Sequence, residues 1–301
     1  MSRILSRGGD SDEQASNYSD RLIIVFDIVA AASFVSLALT LTPAVFSANV
    51  RRSKSWYSMI ATLMIFPLLY LVNVGSQFND DSSPPFGLCV LQAGFSYAGP
   101  PACTVAVLCF LIDTTLGLRA RLYNFKRSKA IMATLLVAPS IIFAVVFFEA
   151  IALFQGHRSV YFDSAHMFCA SQHSAPQYKI SALLTVISLF LTLVSEGWAV
   201  YLLYRNWALV KACRNSPDFQ LSSVVRLGAF TIVVGFAAVV GAVAMPDSKM
   251  GGGLWNIFMI SVPLLAALAF GTRRDILLTY AFWQRTPKLR MEQIGDGNLK
   301  V

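Results

Sequence analysis

Seven apolar stretches, each close to the length of a membrane crossing, leave this chain few folds to adopt. They run over 22–46, 57–76, 88–118, 130–154, 180–204, 227–244 and 254–270. A hydrocarbon core of ~30 Å takes about 20 helical residues to cross. Inside it the backbone must satisfy its own polar groups, which for segments of this length leaves the α-helix. The sequence therefore predicts an all-α membrane protein, a seven-transmembrane helix bundle over 22–271. Charged residues are only 13% of the chain and mean hydropathy is +0.60, far from the roughly 25% charge of soluble domains. Seven spans leave no room in 301 residues for a second folded domain.

A net charge of +8 is compatible with nucleic-acid binding, but its distribution indicates a membrane orientation instead. Eighteen of the 24 basic residues lie after the first, third and fifth stretches and in the C-terminal tail. The positive-inside rule makes that face cytoplasmic, with the N-terminus outside and the C-terminus inside. A plasma-membrane location is expected. Residues 1–21 read as a disordered extracellular tail without the apolar core of a cleaved signal peptide, so the first stretch would itself direct insertion. Asn17-Tyr18-Ser19 is a glycosylation sequon on the outer side, close enough to the membrane that its use stays open. Beyond the seventh stretch, Thr272-Arg273-Arg274-Asp275 has the spacing of a capping box. Ile276, Leu277, Tyr280, Ala281 and Trp283 then form an apolar side, which predicts an amphipathic membrane-surface helix over 272–286. A cytoplasmic tail, 287–301, follows.

Cys89 opens the third stretch, and Cys169 lies in the long connection between the fourth and fifth. On this orientation they are the two cysteines that face an oxidising compartment. A disulfide between them would pin that connection over the mouth of the bundle; two unrelated thiols are the alternative. Cys103 and Cys109 read as packing residues, and Cys213 as a cytoplasmic thiol. His157, His166 and His173 share the outer connection without the spacing of a metal motif, so they read as solvated. Neither a metal nor a cofactor is expected.

Four acids interrupt the apolar stretches: Asp27, Asp113, Glu149 and Glu196. Ionisable groups at membrane depth are costly and are functional candidates by default. Asp27 and Glu149 lie near outer ends, where solvent or headgroups can reach them; Glu196 is deeper. Asp113 is near the inner end of the third stretch, ahead of Arg119 and Arg121. A carboxylate there can pair with an inner-face arginine and hold helices together until an activating rearrangement. Asp113, Arg119 and Arg121 are therefore the candidate switch and coupling residues. Prolines punctuate five stretches, and the pair Pro100-Pro101 is the sharpest case, freeing the carbonyls of Ser96 and Tyr97. Pro100 lies eleven residues past Cys89, about 16 Å along a helix. Broken backbone at that depth must face protein or a watery cavity. Either Gln92, Ser96 and Tyr97, with Glu149, line a ligand pocket, or neighbouring helices satisfy a structural kink.

Together these features resemble the G-protein-coupled receptor superfamily. The likeness lies in seven helices with the N-terminus outside, Cys89 atop the third, Cys169 in the outer connection, Pro263 in the seventh and an amphipathic eighth. Asp113, 24 residues after Cys89, matches the acid of the Asp-Arg-Tyr triplet of rhodopsin-like receptors. Here the triplet reads Asp113-Thr114-Thr115, so the arginine is missing. The sixth-helix Cys-Trp-x-Pro motif is absent, and the seventh-helix Asn-Pro-x-x-Tyr reads Val262-Pro263-Leu264-Leu265-Ala266. The stretches Ala98-Gly99-Pro100-Pro101-Ala102 and Phe270-Gly271-Thr272-Arg273-Arg274-Asp275-Ile276 look more like the divergent seven-helix receptors of fungi, basidiomycetes especially, with a remote similarity to fungal pheromone receptors.

The resemblance implies a receptor for an extracellular small molecule or peptide, coupled to a heterotrimeric G protein through its basic cytoplasmic face. The alternative is a small-solute or ion transporter or channel using Asp27, Asp113, Glu149 and Glu196, although no internal repeat of a transporter kind is evident. No lysine occurs in any apolar stretch, which excludes a retinal Schiff base, and no histidine lies at depth for an intramembrane zinc hydrolase. With no nucleotide loop or catalytic triad pattern, the chain does not read as an enzyme.

Overall fold

The computed structural model describes residues 9–47, 52–72, 74, 85–123, 126–157, 160–162, 167, 169–171, 175–207, 226, 228–235, 249–272, 276–277 and 280. Seven helices carry the described chain. Six are α1 Gly9–Phe46, α2 Lys54–Leu71, α3 Phe86–Tyr123, α4 Lys129–His157, α5 Ala175–Arg205 and, last in order, α7 Lys249–Gly271. Between the last two, α6 is described over 228–235. Four of the helices contain spans long and apolar enough to cross a membrane: Arg21–Phe46, Phe86–Ala120, Lys129–Phe154 and Lys179–Arg205. Asn256–Gly271 is a shorter apolar helix. The chain is a multi-pass helical membrane protein.

Several boundaries differ from those read in the sequence, the start of α1 most of all. The helix α1 begins at Gly9, inside the segment expected to be a tail. Asp10, Asp12 and Glu13 fall in its opening turn, where the positive end of the helix dipole favours acids, so polar sequence extends an apolar helix. The helix α2 closes at Leu71, short of the expected Ser76, which lies outside the described residues. Its other end is set by Ser53, an N-cap whose hydroxyl accepts from the Trp56 N–H at 3.3 Å. Most of the 227–244 stretch and of the 272–286 helix also falls outside the described residues. Of its described residues Ile276 is buried and the Tyr280 hydroxyl donates to the Leu39 carbonyl at 2.7 Å, while Leu277 stays exposed.

The long connection between α4 and α5 holds a two-stranded hairpin that hydropathy did not anticipate. Strand β1, Val160–Phe162, pairs antiparallel with β2, Cys169–Ser171, placing Phe162 opposite Cys169.

The core divides into three clusters along the helices. Leu37, Trp56, Met59, Leu63, Phe110 and Phe270 join α1, α2, α3 and α7 at one end. Ile23, Phe26, Phe66, Tyr70 and Ile260 join α1, α2 and α7 at the other, with Cys103 of α3 packed against them. Cys89, Ala93, Ala150 and Phe154 seal α3 against α4. Small and hydroxylic residues let the backbones approach, as expected where lipid removes the hydrophobic drive between helices. Ser33 of α1 donates to the Ile260 carbonyl of α7 at 3.1 Å, and Gly271 leaves room for Thr40. Arg226 closes the end of α7, donating to the Ala269 carbonyl and to the Thr272 hydroxyl at 3.0 Å each. Outward faces are apolar instead: Ile141, Val145 and Phe148 of α4 and Leu183, Val186 and Phe190 of α5 are exposed. Such large apolar surfaces belong against hydrocarbon.

Gly99 marks the tightest crossing, because a β-carbon there would collide with the Phe66 ring of α2. Gly99→Leu should therefore destabilise the protein by about 1–3 kcal/mol, read as a lower thermal midpoint in detergent. Adding Phe66→Ala should recover part of that loss. No recovery would mean that the ring is not the obstacle.

Candidate functional site

Helix α3 carries most of the residues singled out from the sequence, and it is fastened at both ends. At the first end Cys89 and Cys169 are joined by a disulfide, with Cα atoms 5.3 Å apart, inside the range a bridge requires. Gln92, one turn further, is buried, and its side-chain carbonyl accepts the Cys169 N–H at 3.0 Å. A covalent and a polar contact thus hold the hairpin on α3. Two residues before Cys169, Met167 is fully buried among Ile23, Phe26, Phe66, Tyr70 and Ile260. The connection between α4 and α5 therefore reaches across to α1, α2 and α7.

One of the two carbonyls freed by the proline pair has a partner on a neighbouring helix. The Tyr97 carbonyl, freed by Pro101, accepts the Ser181 hydroxyl of α5 at 2.6 Å. Thr104 returns a hydroxyl to the carbonyls of Pro100 and Pro101 at 3.1 and 3.0 Å. Ser96 meets the Tyr70 hydroxyl of α2 at 3.0 Å, and the Tyr97 ring packs against Phe154 at 5.6 Å between centroids. These contacts give the Tyr97 carbonyl a partner on α5 and the carbonyls of Pro100 and Pro101 one within α3. Gln92, Ser96 and Tyr97 are engaged in holding α2, α5 and the hairpin onto α3. Glu149, the fourth pocket candidate, is half-buried on α4.

At the other end Asp113 is 2% exposed. Its two oxygens divide the work: Oδ2 accepts the Ser55 hydroxyl at 2.5 Å, and Oδ1 accepts Arg127 Nη1 at 3.2 Å. Burial of a carboxylate is tolerable only with such pairing. The arginine comes from the connection between α3 and α4, four residues past Tyr123. It fits because position 117 is glycine; a β-carbon there would press on the guanidinium. Arg119 lies elsewhere, exposed on the wall of a cleft between α3 and α5, and the Arg121 side chain is outside the described residues. The clamp therefore ties the start of α2 and the α3–α4 connection to α3.

The remaining acids stand apart from it. Glu196 is buried on α5 and bonded to Thr231 of α6, on a line of buried hydroxyls with Ser188 and Thr192. Asp27 is half-buried on α1. Asn17 falls within α1, where its side chain is not described.

No protein-family model matches the chain, and no curated protein matches it. The receptor resemblance consequently rests on architecture. Sequence reasoning missed four participants here: Ser55, Arg127, Ser181 and Met167. A serine or arginine at a helix end is common, and only the fold brings these beside Asp113 and Tyr97. Met167 had no signal of its own, since Val160, Tyr161, Phe162 and Phe168 are equally apolar in the same connection.

Proposed function

We propose that the chain is a seven-helix receptor of the G-protein-coupled type, with the Cys89 end outside the plasma membrane and the Asp113 end in the cytosol. It would sense an extracellular small molecule or peptide and signal to a heterotrimeric G protein through its basic face. The observation that supports this reading most is the pairing of Asp113 with Ser55 and Arg127 on the same helix that holds the disulfide-bound hairpin. A rearrangement at the hairpin end is carried along α3 to a buried ion pair flanked by basic loops. Loss of that pair would free the α3–α4 connection to meet its partner. The lopsided distribution of lysine and arginine supports the orientation.

The transport alternative would need its acids to share a path, whereas Asp113 and Glu196 have separate partners on separate helices. Solute or proton flux in proteoliposomes carrying the protein would favour it.

The receptor reading predicts that Asp113→Asn raises ligand-free nucleotide exchange on a reconstituted Gα subunit by about fivefold or more, the effect of removing ~1 kcal/mol of bias toward the resting state. Exchange equal to wild type in a folded variant would count against the clamp as the switch. Absence of exchange with every Gα class would count against the receptor.

A further inference from the structure

Helices α3 and α5 run parallel and touch at both ends. Ser181 meets the Tyr97 carbonyl near one end, and at the other the Asn206 amide donates to the Tyr123 hydroxyl at 3.1 Å. Between these contacts a cleft runs along the seam, lined by Thr115 and Arg119 of α3 and by Gly197, Trp198 and Tyr201 of α5. Among the described residues, nothing lies within 4 Å of where a β-carbon on Gly197 of α5 would stand. The cleft has a volume of about 540 Å³, within the ~300–1,000 Å³ typical of small-molecule sites.

Its surroundings specify what can fill it. The α5 face beside the cleft, with Phe190, Leu191, Val194 and Trp198, is exposed and apolar. The opening therefore gives onto hydrocarbon, where no water is at hand and an empty groove forfeits its dispersion contacts. The apolar spans of α3 and α5 end at Ala120 and Arg205. Arg119 and Tyr201, both on the cleft wall, thus lie at one membrane boundary, with Trp198 one turn inside it. Tryptophan and tyrosine favour that depth. An arginine at headgroup level offers a planar fork of donors to a phosphate, and basic pockets between helices at this depth take anionic headgroups.

We propose that the α3–α5 cleft is a binding site for one anionic phospholipid, its acyl chain against Gly197 and Ser195 and its headgroup phosphate on Arg119. The inference needs only that α3 and α5 cross a bilayer, and it stands or falls separately from the receptor reading.

The test is native mass spectrometry of the full chain released from nanodiscs containing equal amounts of phosphatidylserine and phosphatidylcholine. Wild type should retain one phosphatidylserine in preference to phosphatidylcholine by roughly fivefold, the worth of about one arginine near a charged headgroup. Arg119→Gln should abolish the preference while keeping one lipid bound. Gly197→Leu fills the cleft, meets no described residue at its β-carbon and suits a helix better than glycine; it should lose both lipids with no drop in thermal midpoint. Equal retention of the two lipids by wild type would overturn the proposal, as would either variant behaving like wild type. Lipid-free dimers cross-linked through introduced cysteines along this face of α5 would also overturn it, and would make a second copy the occupant.

Discussion

Replacing Cys89 or Cys169 with serine should lower the thermal midpoint more than any other single change considered for this protein. The bond closes a loop of 80 residues in sequence separation. In a free chain, cross-linking a loop of that length removes unfolded-state entropy equivalent to about 4 kcal/mol. A bilayer already restrains the intervening α4, so the unfolded chain has less freedom to lose and the expected cost falls to roughly 2–3 kcal/mol. Both single variants and the double variant should show the same midpoint, because the residues act as one unit and their effects do not add. Wild type treated with reductant should fall to that value as well. A reductant-insensitive midpoint would mean that the bond does not form in the protein as produced. Gln92→Ala, which removes only the polar contact to Cys169, should cost less than the cysteine changes.

The second large effect concerns the buried ion pair. Arg127→Ala leaves the Asp113 carboxylate, 2% exposed, with the Ser55 hydroxyl alone. Stripping one partner from a fully buried pair costs about 3–5 kcal/mol, chiefly through the uncompensated charge left behind. Arg127 is itself 35% exposed. Water can follow its departure, so the expected loss is about 1–3 kcal/mol. Asp113→Asn keeps an acceptor for Ser55, removes the charge and should cost under about 1 kcal/mol. The informative measurement is the double variant. Neutralising Asp113 in the Arg127→Ala background should restore most of the lost stability, since no charge then remains to be stranded. A double variant less stable than Arg127→Ala would show that Arg127 serves packing rather than charge. The same substitution is expected to raise Gα exchange, so stability and signalling readouts separate a structural clamp from a switch.

Hydropathy made the long helices legible because a membrane-spanning helix must be apolar for its full length, and few other structures share that demand. The bounds of α3, α4 and α5 extend the apolar stretches by short polar turns that no hydropathy threshold registers. The α4–α5 hairpin was opaque for the opposite reason: three-residue strands bury too little to imprint a pattern. Asp113 stood out because a charge at depth is conspicuous, but its partner could not be read off. Arg119 and Arg121 are nearer in sequence, whereas Arg127 comes back over Gly117 from the connection beyond the helix. The proline pair signalled a broken backbone without showing where its carbonyl would turn, and Ser181 is separated from Tyr97 by the whole of α4 and the hairpin.

Met167 sets a limit on how far the two sides of the hairpin end can separate. It is two residues from Cys169, which is covalently bound to α3, while its own side chain is lodged among α1, α2 and α7. Two residues of fully extended chain reach no more than about 7 Å. Seat and anchor are therefore joined by a tether with almost no slack. Any breathing motion that draws α7 away from α3 by more than a few ångströms must either pull Met167 from its socket or carry both helices along. Opening at this end would therefore be stepwise, with the release of one side chain as its first step.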